Sequence, residues 1–260
     1  MSRLFVFGCS YTSYAYPTWA DAISVNFDEY YNYGRSGCSN TYIMDSVVAA
    51  NDKFKFKKTD TVIVMLTGFG RFSYKPRGSI WQAKGDMFNY CEQVDDPVVK
   101  GFYDNMWSDD FAVHQSWTAA KVIKQILKSA KCNHKLLMGI NNEAYITGLV
   151  DLNVDMYKKA VEVYSLLDNK VSLDKWKHDN DEFDSPYWEA KGGRDGHPSS
   201  DVYLRYAKKF MPELVTRKSS TFVKYWNTNF DNSSQANMEV KFNSEFRAKR
   251  DLGFTNKLLE

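Results

Sequence analysis

Two short runs constrain the fold of this chain most. Within DTVIVMLTG (residues 60–68), VIVML (62–66) is apolar without interruption, and LFVFG (residues 4–8) stops abruptly at a glycine. Runs of this length with no polar alternation are expected of strands covered on both faces, and such strands belong to parallel sheets with helices above and below. Helical patterns lie between and after them. PTWADAISVNF (17–27) places Trp19, Ile23 and Phe27 four apart behind a Pro tolerated in a first turn. Residues 39–52 read as a helix capped by Ser39 or Asn40. Residues 112–130, 154–167 and 199–214 repeat the pattern, the last with Val202, Tyr206, Phe210 and Leu214. EYYNYG (29–34), HKLLMGI (134–140) and KVSLD (170–174) read as three further strands. The alternation predicts an α/β chain: a five-stranded parallel sheet with helices on both faces, in three layers.

The bulk numbers exclude several partners. With 34 basic and 32 acidic residues in 260, net charge is +2, and the basic residues form no stripe, so no nucleic acid is expected. No apolar run approaches a membrane span, and the N-terminus lacks a signal-peptide core, so synthesis in the cytoplasm is expected, with later incorporation into a particle left open. Cys9, Cys38, Cys91 and Cys132 form no C-x-x-C pair. They read as reduced, buried thiols, and neither a metal nor a cofactor is expected. HDNDEFD (178–184) lacks the glycine and terminal Glu of a Ca²⁺ loop and reads as solvated.

Two segments break the rhythm. Residues 71–110 hold Trp81, Tyr90, Tyr103 and Trp107 without a helical period, and a connection so long is expected to carry function or small elements of its own. Residues 217–260 are polar, with eight Lys or Arg against five Asp or Glu. The expected organisation is a domain over 1–216, with 71–110 inserted near its site, and a C-terminal extension or docking arm over 217–260.

In an open parallel sheet, ligands bind beyond the carboxyl ends of the strands. Those ends carry Gly8-Cys9-Ser10, then Gly34 and Gly37, then TGFGRF (67–72), and finally RDGHPS (194–199). Together they supply a hydroxyl, small residues whose N–H groups a ligand can approach, and an Asp/His pair. Acyl transfer needs such a set. The serine must lose its proton as it attacks, the base must be held in one tautomer, and the oxyanion needs donors already in place. Ser10 is the candidate nucleophile, His197 the base, Asp195 its orienter and Gly37 an oxyanion donor. Each has a plainer reading: a cap or turn for Ser10, a structural role for His197, a turn for Gly37. Cys9 is a rival nucleophile. Asn141, at the end of a strand, is either a substrate contact or turn chemistry.

In this order and placement, GCS, the Gly34/Gly37 loop and DGHP resemble the SGNH, or GDSL-like, hydrolases. FGCSYT with DGHPS is most similar to phage-encoded members. The resemblance covers residues 1 to about 216. It implies a flavodoxin-like fold and a serine esterase or deacylase. The expected substrate is an ester, with removal of acyl or acetyl groups from a carbohydrate suggested by the many aromatics. The alternative it leaves open is a virion structural protein of weak or no activity, attached to its particle or to further copies through 217–260. The chain departs from the family in two places. TGFGR lacks the Asn of the third motif, leaving Thr67 or the N–H groups of Gly68 and Gly70 as substitutes. The acid–base pair is D-x-H rather than D-x-x-H, and residues two apart on an extended loop still face the same way.

Overall fold

The computed structural model describes residues 1–77, 79, 81–86, 96–149, 154–180 and 197–229, and every structural statement concerns these. Strands β1 (Arg3–Gly8), β2 (Glu29–Gly34), β3 (Thr61–Leu66) and β6 (Asn133–Met138) form a parallel sheet in the order β2-β1-β3-β6. All six residues of β3 are buried, as its unbroken apolar run requires. Between β1 and β2 the register sets Phe5 against Tyr31 and Phe7 against Tyr33, and both aromatic pairs stack, at 4.7 and 5.1 Å between centroids. Each such side chain taken from water stabilises the fold by about 1.5–3 kcal/mol.

The helices are α1 (Trp19–Ser24), α2 (Asn40–Phe54), α3 (Pro97–Met106), α4 (Asp109–Ala130), α5 (Glu143–Leu149), α6 (Val154–Leu166), α7 (Leu173–Asp179), α8 (Ser200–Phe210) and α9 (Arg217–Asn229). Their starts follow capping chemistry. Thr18 and Asp21 form a reciprocal capping box on α1, and Ser39, Ser108, Ser172 and Ser199 cap α2, α4, α7 and α8. The chain leaves β1 for β2 in one direction and returns past β1 to β3 in the other. Right-handed crossovers therefore put α1 on one face and α2 and α4 on the opposite face. The contacts agree: α2, α4 and α6 touch in a row, and α1, α8 and α9 form a second group.

The sheet has four strands, not the predicted five. Residues 170–174 run beside β6 without forming a ladder. Asp168 donates its N–H to the Leu136 carbonyl at 2.9 Å while its carboxylate accepts from the Leu136 N–H at 2.6 Å. Asn169 then takes the Val171 N–H on its own side chain, and Ser172 starts α7. Side-chain oxygens here capture the N–H groups a strand would have paired.

The described residues of the segment after β3 form elements of their own. A hairpin of β4 (Arg71–Tyr74) and β5 (Gln82–Asp86) is followed by α3, which Asp96 caps and Pro97 begins. Its aromatics meet one another: Phe72 stacks on Phe102 at 4.3 Å, with Trp107 and Phe111 edge-on to Phe102. Residues 217–229, the described part of the C-terminal extension, are helical. Val223 and Trp226 are buried, and Asn26 ties the Leu214 carbonyl and the Ser219 hydroxyl to the end of α1. Cys9, Cys38 and Cys132 are free thiols, and Cys91 lies outside the described residues. Burial pushes the Cys132 thiol up to about 11. Among the described residues no helix is long and apolar enough to cross a membrane, and no cluster of ligating side chains could hold a metal.

Candidate active site

Because β2 and β3 lie on opposite sides of β1, the strand order reverses between β1 and β3, and a crevice opens at their carboxyl ends. Ser10 stands on one lip and the Thr67–Arg71 loop on the other.

The Ser10 turn is held by the Cys9 carbonyl, which accepts from the N–H groups of Thr12 and Ser13 at 2.9 and 3.2 Å. Gly8 permits this turn: a Cβ there would lie 2.1 Å from the Thr12 hydroxyl. Ser10 is 5% exposed, so its hydroxyl meets only what enters the crevice. From the next strand, the Arg35 N–H and the Cys38 thiol both reach the Gly8 carbonyl, at 2.9 and 3.4 Å. Gly37 between them has φ 71°, a left-handed conformation that side chains resist. Among the described residues, the N–H groups of Ser10, Gly37 and Gly68 donate to no backbone carbonyl.

His197 comes to the same lip. Its ring stacks on Tyr14 at 3.8 Å and 11° and meets Tyr11 edge-on at 5.3 Å. The backbone after it is pinned: the Tyr16 hydroxyl donates to the Pro198 carbonyl at 3.0 Å, and the Ser200 hydroxyl donates to the Pro17 carbonyl at 2.8 Å. The late loop and the first turn are thus joined, yet Ser10 and His197 share no hydrogen bond in this arrangement. Asp195 lies outside the described residues.

Behind Tyr11 stands an ionic cluster that the sequence did not single out. The Tyr11 hydroxyl donates to Asp174 at 3.2 Å, and buried Lys177 pairs with the same carboxylate at 3.2 Å. Burial, followed by the Asp174 charge, pushes the Tyr11 phenol well up, so it remains a protonated donor.

The opposite lip is braced by two asparagines. Thr67 is wholly buried, and its N–H donates to the Asn40 side chain at 2.8 Å, so that N–H is committed. Asn40 returns a bond to the Thr67 carbonyl at 3.1 Å and reaches Ser116 at 3.0 Å. Gly68 is therefore the nearer donor in this loop. Asn141 accepts from the Glu143 N–H at 3.0 Å and begins α5, which is turn chemistry. Its neighbour Asn142 is the bracing residue, accepting from the Phe69 N–H at 3.1 Å.

Arg71 completes this lip. Its positive charge favours the ionised forms of Tyr11 and Cys38, against the larger effect of burial. It also lines a cavity of about 80 Å³ with Ser39, Thr41, Phe72, Trp107 and Phe111. The sequence carried one sign of it, a lone Arg closing a Gly-x-Gly strand end.

No family model matches the chain, and no curated protein matches it. A solved structure similar to it is that of a member of the lipolytic G-D-S-L family from Veillonella parvula. It is 16% identical with a TM-score of 0.38, over 84% of this chain and all of that one.

Proposed function

We propose that this chain is a serine-dependent ester hydrolase of the SGNH type. The observation that carries the reading is the meeting of the His197 ring with Tyr11 and Tyr14, on the turn that bears Ser10, at the point where the strand order reverses. In this reading Ser10 attacks the ester carbonyl and its proton passes to His197. The alkoxide leaves with that proton. Water, deprotonated by His197, then releases the acyl group and restores the serine. The N–H groups of Ser10, Gly37 and Gly68 are the proposed donors to the oxyanion, and Asp195 the proposed orienter of the base. In the resting arrangement Ser10 and His197 are not hydrogen-bonded. Catalytic hydrogen bonds are often long before substrate binds, and a rotation of the imidazole off Tyr14 is the step this reading requires. The proposed ester is an acylated carbohydrate, because Phe72, Trp107 and Phe111 wall the cavity beside the crevice.

Hydrolysis of p-nitrophenyl acetate by the wild type, Ser10→Ala and His197→Ala tests this. Loss of roughly 10³-fold or more in each variant is expected. Equal rates in the wild type and Ser10→Ala would overturn it.

The unformed Ser10–His197 hydrogen bond and the missing Asn of the third motif favour one second reading, a scaffold of this fold without activity that docks through residues 217–260. A chain ending at Asn229 that keeps its fold but loses a virion or self-association contact supports that reading. Turnover that depends on Ser10 removes its main motive.

A further inference from the structure

Most polar groups around the crevice are spoken for; among the described residues the buried hydroxyls of Thr12 and Thr67 lack a hydrogen bond, and Arg71 is the cation left so. Asp174 is shared by Tyr11 and Lys177. Arg35 donates to the Trp81 carbonyl and lies over the Tyr42 ring at 5.5 Å. Asn40 and Asn142 hold backbone groups of the loop after β3. The Arg71 guanidinium forms no ion pair and no hydrogen bond among the described residues, and its Nη1 is buried without an acceptor.

The surroundings of Arg71 select the charge of what it meets. No acidic residue lines the cavity it faces. Ser39 and Thr41, at the start of the 15-residue helix α2, form part of the wall, so the positive end of that helix is turned to the same space. Phe69, Phe72, Trp107 and Phe111 form the apolar remainder, which keeps the local dielectric low and strengthens an attraction to a guanidinium. A volume of about 80 Å³ admits one small oxyanion, and the planar fork of an arginine matches carboxylate or phosphate oxygens two at a time.

We propose that Arg71 and the first turn of α2 form an anion subsite on the β3 lip of the crevice, which takes a carboxylate or phosphate carried by the ester substrate. The assignment to a substrate rests on the hydrolase reading; the binding of the anion does not.

Titration calorimetry on the full chain, with sodium acetate and sodium phosphate at constant ionic strength, separates the two. The wild type is expected to bind at least one of these anions with one-to-one stoichiometry. Binding of acetate alone assigns a carboxylate, and binding of phosphate alone assigns a phosphate. Arg71→Gln is expected to weaken the interaction by about tenfold or more, with Arg71→Lys intermediate, because lysine keeps the charge but loses the fork. Thr41→Asp provides a second variant that favours the start of α2 while setting a carboxylate in the cavity, and it is expected to abolish binding. Ser10→Ala is expected to bind as the wild type does. Absence of saturable binding in the wild type, or equal affinity in the wild type and Arg71→Gln, overturns the proposal. Ester hydrolysis indifferent to Ser10→Ala sinks the hydrolase reading alone, and calorimetry that is flat beside Ser10-dependent hydrolysis sinks the anion subsite alone.

Discussion

The turn after β1 and the loop after β3 face each other across one crevice and solve opposite problems. On the β1 side, rings fill the space: His197 lies on Tyr14 and against Tyr11, and Tyr11 is anchored to Asp174. On the β3 side, Asn40 and Asn142 brace the backbone, but the side chain that points outward, Arg71, is left unsatisfied beside a cavity. A folded chain meets nearly all its buried hydrogen-bonding demand internally. A lip whose rings close on one another reads as scaffold for its reactive groups, and a lip that leaves a cation unmet reads as a place for something from outside.

Substitutions break this contrast in a definite order. The largest effect is expected on rate, from Ser10→Ala, with the melting temperature little changed because the Ser10 hydroxyl holds no partner among the described residues. Next comes Asn40→Ala. It strands both the N–H and the carbonyl of buried Thr67 and is expected to cost about 3 kcal/mol in denaturant unfolding. Gly8→Ala follows, at about 1–3 kcal/mol, since the new methyl would collide with the Thr12 hydroxyl and lie 3.0 Å from the Met65 carbonyl. Tyr14→Leu removes the stacking surface of His197. It is expected to cost about 1 kcal/mol of stability and to move the pH–rate profile, a shift that a purely structural residue would not cause. The smallest effect has the opposite sign. Arg71→Met is expected to raise stability by up to ~1 kcal/mol while anion binding is lost, the signature of a residue kept for a ligand. A destabilised Arg71→Met would show that the two lips are alike after all.

What could be read from the chain beforehand followed the strength of the local signal. β1 and β3 are apolar after their first residue, and nothing competes with that pattern. The predicted strand at 170–174 failed because Asn169 and Ser172 supply oxygens that take backbone N–H groups, a competition that hydropathy does not register. Helix α4 begins at Asp109 rather than Ala112 because two acidic residues, read as loop, suit the positive end of a helix. The Ser10 and His197 neighbourhoods were legible from Gly and His at strand ends. Arg71 was visible in TGFGRF, but a residue's lack of partners is a property of three-dimensional surroundings and leaves no mark in the order of letters.

Asp168 has a consequence beyond the site. A sheet ending in β6 presents a row of open amide positions to any neighbouring chain. By filling the N–H and the carbonyl of Leu136 from a single residue, Asp168 occupies the middle of that row, and the Asp174 N–H takes the Gly139 carbonyl one step further on. A foreign strand seeking to extend the sheet finds its central docking points already taken by a charged side chain, so the border of the molecule guards against self-propagating β assembly without spending a fifth strand on the task.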